Sequence, residues 1–168
     1  MAAKEKYIKL AKDLGMVGAK MISPGDLCFD VRAILKCRWG CDDFFRMTIK
    51  CSTRGTSLQE RIEIIRAYKK ILLVHSHDAH ELSKAVLEIE RAAFLEGHYF
   101  ASALKYCKLC KNCAVDRGKP CPTPEKVRPC EQTFGIDMYK TVRNQGLPCD
   151  VLHNKTDVQN RYGFVLIK

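Results

Sequence analysis

The sequence has no apolar run that approaches the roughly 20 residues a membrane-spanning helix needs. It also lacks a recognisable export signal, because neither an apolar segment nor a small-residue cleavage site follows the opening Met-Ala-Ala-Lys-Glu-Lys. We therefore expect a cytoplasmic location and no membrane partner. Thiols in that compartment are normally reduced, so a disulfide framework is not expected.

Several catalytic signatures are missing as well. The chain contains no GxSxG nucleophile elbow, no phosphate-binding P-loop and no GxGxxG dinucleotide fingerprint. The adjacent acidic residues Asp42 and Asp43 are predicted to be a loop pair rather than an acid–base dyad. The sequence therefore predicts no catalytic residue and leaves open whether the protein is an enzyme.

Cysteine, in contrast, is abundant, with ten residues in a chain of 168 of which 46% is hydrophobic. An apolar fraction of this size can form a core without disulfide support. Clustered cysteines in a reducing compartment are more often metal ligands or redox groups than covalent links. We predict a single domain over residues 1–168, with a cysteine-rich metal-binding segment at 105–130 inside it.

Helical and strand patterns are interleaved along the chain, which predicts an α+β fold, with α/β as the alternative. Ser57 and Glu60 form a capping box before one helix, and a longer helix is expected to start at Asp78. Other helices are expected around residues 7–14 and 136–145. Strands are expected at the following segments: 17–22, 27–34, 71–74, 99–106 and 164–167.

Four cysteines, Cys107, Cys110, Cys113 and Cys121, form the most informative motif. Two-residue gaps allow successive thiolates to surround one centre, as in ferredoxin-like runs that end in cysteine and proline. Here seven residues rather than three precede Cys121, so this cysteine could serve a different centre. We predict a 4Fe–4S cluster, with zinc as the alternative because four thiolates also suit that ion.

Cys37, Cys41 and Cys51 form a second, looser group. They could supply three ligands to a second 4Fe–4S cluster, which makes seven candidate metal ligands in all. A fourth ligand for this group could come from Cys28, Cys130, Cys149 or the first group. Three ligands could also leave one iron open to a substrate. An enzyme with an open iron site is therefore an alternative to an electron-transfer or redox accessory protein.

The chain is basic, with a formal net charge of +10 and an isoelectric point of about 9.2. Each four-thiolate site would carry about −2, so two sites would lower the net charge to about +6. The basic residues between 105 and 128 are Lys105, Lys108, Lys111, Arg117, Lys119, Lys126 and Arg128. They could lower thiol pKa values or attract an acidic redox partner protein. A zinc-stabilised nucleic-acid-binding module is a further alternative, but aromatic residues are not interleaved with the basic ones, which disfavours nucleic acid as a partner.

Two other residue types invite a functional interpretation. His75, His77 and His80 follow an expected strand end, and we predict solvated loop histidines rather than metal ligands. Trp39, beside the first cysteines, is predicted to pack in the core. No feature of the sequence defines the oligomeric state.

Five motifs together resemble a known family. They are Lys36-Cys37-Arg38-Trp39-Gly40-Cys41, Glu90-x3-Phe94-x2-Gly97-His98-Tyr99, the run from Cys107 to Cys121-Pro122, Arg128-Pro129 and Gly135-Ile136-Asp137. This pattern, spread over roughly residues 5–167, is similar to an uncharacterised family of cysteine-rich predicted metal-binding proteins of anaerobic bacteria and archaea.

The resemblance implies a set of metal ligands but no known reaction. The implied ligands are Cys37, Cys41, Cys51, Cys107, Cys110, Cys113 and Cys121. The chain departs from the family pattern after Cys51, where Ser52-Thr53 stand in place of the prolines that family members tend to have. The remaining cysteines, Cys28, Cys130 and Cys149, do not match family cysteines.

Overall fold

The computed structural model describes residues 3–51 and 53–168. Its helices are α1 (Ala3–Asp13), α2 (Ala33–Gly40), α3 (Asp42–Phe45), α4 (Leu58–Arg66), α5 (Ala79–Leu95) and α6 (Met138–Asn144). Its strands are β1 (Gly18–Ile22), β2 (Ile71–Ser76), β3 (Ser102–Leu104) and β4 (Arg161–Leu166). Short 3-10 turns occupy Pro24–Asp26, Ile49–Cys51, Val115–Arg117, Pro124–Lys126 and Glu131–Phe134.

The four strands form one antiparallel sheet in the order β1-β2-β4-β3. Because an α/β fold needs parallel strands joined by crossover helices, the antiparallel pairing makes this an α+β fold. Strand β2 is an apolar run ending in His75-Ser76, and all six of its residues are buried. It lies at the centre of the sheet because both of its faces can be covered.

Side chains alternate between the two faces of the sheet, and each face has its own core. On one face α1 and α5 cover β2 and β4, with the core residues Tyr7, Ala11, Leu72, Val74, Leu82, Val86, Ile89 and Val165. The opposite face packs against α4, α6 and the turn before α6, with the core residues Ile65, Ile71, Leu73, Phe134, Ile136, Val142, Phe164 and Leu166. Each fully buried side chain of this kind contributes about 1.5–3 kcal/mol.

Capping residues fix the start of helices α4 and α5. Ser57 accepts a hydrogen bond from the Glu60 N–H, and the Glu60 carboxylate accepts one from the Ser57 N–H, so the predicted capping box opens α4. The Asp78 carboxylate accepts hydrogen bonds from the N–H groups of His80 and Glu81 and caps α5. Both predictions are confirmed.

The strand expected at 27–34 is wrong. This segment makes a single antiparallel bridge, between Phe29 and Ile136. Its pairing stops there because Asp30 folds the chain into a turn: the Asp30 carboxylate accepts hydrogen bonds from the backbone and guanidinium of Arg32. Helix α2 then begins at Ala33, so a helix rather than a strand leads into the group Cys37, Cys41 and Cys51.

Three predictions about single side chains need correction. Trp39 is 71% exposed and not part of the core, because α2 buries little beyond Cys37. His75 is not a solvated loop residue: it lies in β2, is buried, stacks on Tyr162 and donates a hydrogen bond from Nε2 to Asn160 Oδ1 at 2.8 Å. His80 is half-buried in the first turn of α5, whereas His77 is exposed as expected.

None of the helices in the described ranges combines the length and the apolar character that a membrane span requires.

The burial of His75 makes stability dependent on pH. Burial lowers the pKa of His75 below its usual value by more than the hydrogen bond to Asn160 raises it. As the pH falls below about 6.5, His75 therefore binds a proton in the unfolded chain but not in the folded one. The free energy of unfolding then decreases by at most ~1.4 kcal/mol per pH unit. We expect His75→Gln to reduce this decrease in urea unfolding experiments between neutral and mildly acidic pH. Exposed His153→Gln is the control, and an equal pH slope in both variants would contradict the assignment.

Candidate metal centre

The cysteine-rich segment 105–130 leaves the sheet directly after β3. Its first residue is anchored by a hydrogen bond from the Lys105 N–H to the Pro129 carbonyl, so the two ends of the segment lie side by side. The aliphatic stem of Lys105 packs on Gly163 of β4, where a Cβ atom would lie only 3.1 Å from Lys105 Cδ. Glycine at this position lets the lysine stem pack closely against the sheet and become buried.

The first turns of α5 hold the backbone between the first two cysteines of the segment. Ser83 Oγ accepts a hydrogen bond from the Lys108 N–H at 3.2 Å, and His80 Nδ1 lies 2.9 Å from the Lys108 carbonyl oxygen. Lys108 stands between Cys107 and Cys110. These contacts give a segment without regular structure a defined path over the N-terminus of α5.

A second anchor holds the far end of the segment. The Arg128 guanidinium makes a bidentate ion pair with the Glu90 carboxylate of α5, at 2.8 and 2.5 Å. Glu90 also accepts a hydrogen bond from the Ala103 N–H of β3 at 2.6 Å. Because both side chains are largely buried, the pair is protected from solvent screening and ties the segment to the helix and the sheet together.

All four cysteines of the predicted run line one recess. Cys107, Cys110, Cys113 and Cys121 line a space of about 20 Å³ that is partly open to solvent, together with Ile49, Lys50, Val115 and Val127. Burial raises the pKa of Cys107, while the Leu109 N–H and the Lys50 charge act in the opposite direction. The structure thus brings together the four residues that sequence spacing selected, and their role as ligands stays a prediction.

Lys50 joins this recess to the first cysteine group. Its side chain is 3% exposed and forms ion pairs with Asp43 of α3 and Asp116 of the cysteine-rich segment. The Tyr106 hydroxyl and the Thr48 hydroxyl donate hydrogen bonds to Asp43 at 2.6 and 2.8 Å. The expectation that Asp42 and Asp43 form a simple loop pair is therefore wrong for Asp43, which is buried.

The charges in this network stabilise one another. Burial alone would lower the pKa of Lys50, but the hydrogen bond to Asp116 and the negative groups around it raise that pKa overall. Burial would raise the pKa of Asp43, but hydrogen bonds from Tyr106 and Thr48 and the charge of Lys50 lower it overall. Both groups are therefore ionised at neutral pH.

Cys37, Cys41 and Cys51 also lie near one another. Cys37 lies in α2, Cys41 is the extended residue that ends this helix, and Cys51 ends the 3-10 turn that follows α3. Burial and the charges of Cys37 and Cys41 raise the pKa of Cys51 to about 11. Burial likewise raises the pKa of Cys37, against a lowering effect from the Cys51 thiol.

Of the three remaining cysteines, only Cys130 lies beside these groups. Burial raises its pKa well above the usual value, and the charges of Glu131, Lys105 and Cys37 also act on it. Cys28 and Cys149 pack around α6, where Asn144 Nδ2 lies 3.4 Å from Cys28 Sγ and Arg143 donates to the Cys149 carbonyl. Cys130 is thus the best placed of the three to complete the first group.

The chemistry of these residues fits a thiolate-bound metal centre. Several thiols face shared space, and buried cations lie next to them, so loss of thiol protons to a metal would be compensated. Among these thiols, desolvation raises the pKa of Cys37, Cys51, Cys107 and Cys130. Beside Cys130, the Glu131 Oε2 atom is buried and has no hydrogen-bond partner within the described ranges. Among these residues, no three histidine, cysteine or acidic side chains are grouped closely enough to hold a single ion.

Sequence reasoning missed most of the residues that build this site. Ser83 of α5 and Lys50 of the turn that contains Cys51 contact it, and no spacing pattern marks them. Glu90 occurs in one of the family motifs, which assigns no role to it. Adjacency was the one available signal: Lys50 precedes Cys51, and Tyr106 precedes Cys107. A charged or hydroxyl residue next to a candidate ligand in sequence is only weak evidence that it contributes to the site. The structure is needed to show which of these neighbours does.

A family model described as "Predicted metal-binding protein (DUF2284)" matches residues 20–167 of the chain. The matched region includes both cysteine groups and all of the sheet except the first two residues of β1. Comparisons with curated proteins and with solved structures found no significant match.

Removal of Lys50 should destabilise the protein. Lys50→Met leaves Asp43 buried without its cation, and breaking a buried pair in this way costs about 3 kcal/mol. Exposed Lys108 lies over the same Tyr106 ring, at 5.6 Å from the ring centroid, so Lys108→Met is a matched control. Urea unfolding of the two variants should separate them clearly. Equal stability would show that the Lys50 network does not hold the site.

Proposed function

We propose, from the premise that this chain belongs to the DUF2284 family of predicted metal-binding proteins, that it carries one or two 4Fe–4S clusters and serves in electron transfer or as a redox accessory protein. The first cluster would be held by Cys107, Cys110, Cys113 and Cys121. The second would be held by Cys37, Cys41 and Cys51, with Cys130 as the fourth ligand.

The observation that carries this proposal is the charge of the protein interior. The buried basic residues of the described chain are Lys50, Arg61 and Lys105, whereas the one buried acidic residue is Asp43. Each of the three cations acts on a candidate cysteine: Lys50 on Cys107, Arg61 on Cys37 and Lys105 on Cys130.

Lys50 is paired with Asp43 and Asp116, but neither Arg61 nor Lys105 forms an ion pair with a described carboxylate. Isolated buried charges are costly, so these two cations call for negative charge next to them. Inert neutral thiols would supply none. Thiolates around a metal centre would supply about −2 for each site of four. The buried cations thus favour metal binding over a set of structural cysteines.

Iron–sulfur is favoured over zinc by the spacing of the cysteines along the chain. Cys107, Cys110 and Cys113 follow one another at two-residue gaps, as in ferredoxin-like runs that bind 4Fe–4S clusters. Zinc ribbons typically use two separated CxxC pairs instead.

A bound 4Fe–4S cluster would supply one-electron redox chemistry. Around the first cysteine recess, the residues of this chain would hold the thiolates in place and compensate their charge. Exposed basic side chains surround it: Lys108, Lys111, Arg117, Lys119 and Lys126. We propose that this surface attracts an acidic redox partner, since positive potential at a docking face accelerates association with a negative protein.

Anaerobic purification tests the cluster directly. We expect a brown protein that absorbs near about 400 nm and contains about four or eight irons per chain, depending on the number of clusters. Cys107→Ser should remove about four irons, since its thiolate is lost from the first site. Cys28→Ser, at a cysteine that contacts Thr141 and Asn144 of α6 and belongs to neither group, should retain them all. A colourless protein with stoichiometric zinc would contradict the proposal.

The second cluster requires its own test. Cys51→Ser should lower the iron content from about eight to about four per chain, because the second centre loses a ligand. Cys149→Ser is the matched control, since this half-buried cysteine packs beside α6, where Arg143 donates to its carbonyl oxygen. Iron and sulfide analysis of both variants gives the readout. An unchanged iron content in Cys51→Ser would leave one cluster and exclude Cys51 as a ligand.

A further inference from the structure

A second cavity lies next to the cysteine recess and belongs to neither cysteine group. Its volume is about 140 Å³, which limits it to a small ligand. Ile49, Lys50 and Val127 line both spaces and form a shared wall. The cavity therefore lies immediately beside the proposed metal centre.

The polar lining of this cavity is positive. Four basic residues and three threonines contribute to it: Lys50, Arg54, Arg61, Arg128, Thr53, Thr56 and Thr133. No acidic residue is among the described residues that line it. The carboxylates that balance Lys50 and Arg128, namely Asp43, Asp116 and Glu90, lie outside the cavity wall. The space is thus surrounded by hydrogen-bond donors and positive charge.

Arg61 is the most informative member of this lining. It is 4% exposed, its Nε donates to the Thr133 carbonyl at 2.6 Å, and its Nη1 donates to the Thr56 carbonyl and hydroxyl. These neutral acceptors orient the guanidinium without balancing its charge. Nη2 makes no hydrogen bond to any described residue, and no described carboxylate forms an ion pair with Arg61. A buried guanidinium with a free edge is prepared to bind an anion.

The loop that carries Arg54 has an unusual backbone. Arg54 has a φ of 49°, a left-handed conformation that is unfavourable for a non-glycine residue, and Gly55 follows with a φ of 81°. Residues are kept in such conformations where the surrounding structure needs them, often in ligand sites. Here the conformation places Arg54 in the lining of the cavity.

The rest of the lining is apolar, and this defines the ligand further. Ile49, Ile64, Val127, Pro129 and Phe134 complete the wall. A simple inorganic ion would leave most of this apolar surface without a partner. We propose that the cavity binds a small organic anion whose carboxylate or phosphate group contacts Arg61 and Arg54 and whose carbon skeleton packs on the apolar wall.

The proposal can be tested by calorimetric titration of the anaerobically purified protein with simple probes. Benzoate and phenyl phosphate combine an apolar ring with either anionic group, so comparing them identifies the preferred head group. Benzamide has the shape of benzoate without its charge, and inorganic phosphate has charge without an apolar part. We expect benzoate or phenyl phosphate to bind at least about tenfold more tightly than benzamide and inorganic phosphate.

Variants locate the binding. Arg54→Asn keeps a residue that tolerates the left-handed backbone while it removes the guanidinium, and Arg61→Gln removes the buried charge. Each should weaken binding of the preferred probe about tenfold or more. Arg61→Lys keeps the positive charge but loses the planar guanidinium that can bind an anion through two hydrogen bonds. This variant is used in place of Arg61→Gln if Arg61→Gln does not fold. Exposed Arg91→Gln on α5 is the control and should bind normally.

Two results would overturn the proposal: benzamide binding as tightly as the anionic probes, or unchanged binding in Arg54→Asn. Neither result depends on the metal content of the protein. Failure of this proposal is therefore distinguishable from failure of the iron–sulfur assignment.

Discussion

Lys50 lies where the two cysteine-bearing parts of the chain meet, and its burial constrains both. A lysine ammonium removed from water must have negative partners within a few ångströms, or the folded state loses several kcal/mol. Asp43 supplies one partner from α3, and Asp116 supplies the other from the cysteine-rich segment. Tyr106, next to Cys107, is held by Asp43. One buried cation thus positions segments that contain almost no regular structure.

Contacts with the core also position the two ends of the cysteine-rich segment. Segments rich in cysteine and proline cannot satisfy their own backbone groups, so side chains and carbonyls from the core must do so. Ser83 accepts from the Lys108 N–H, and Glu90 pairs with Arg128. Both belong to α5, the longest helix, whose other face packs on the sheet. A rigid core element therefore supports the loop on which the thiols are placed.

Sequence reasoning succeeded where a local pattern determines the structure. The capping box at Ser57, the Asp78 cap and the apolar run at 71–74 all lie where they were predicted. It failed at 27–34, at Trp39 and at His75, because burial there depends on which distant segment packs against each residue. The spacing of the 107–121 run predicted four cysteines facing one space. It could not predict that Lys50, seventy residues from the end of that run, would complete the wall.

The net charge of +10 separates into two populations with different physical behaviour. Exposed cations such as Lys111 and Lys119 act through solvent, and their influence on a partner is screened beyond about 8 Å at physiological ionic strength. Buried cations such as Lys50 and Arg61 are screened little and act on whatever lies beside them. Lys50 is compensated by Asp43 and Asp116, whereas Arg61 forms no ion pair with a described carboxylate. Because a fold keeps uncompensated buried charge only at a cost, Arg61 is the buried cation for which the proposed thiolates and the proposed organic anion would supply the missing negative charge.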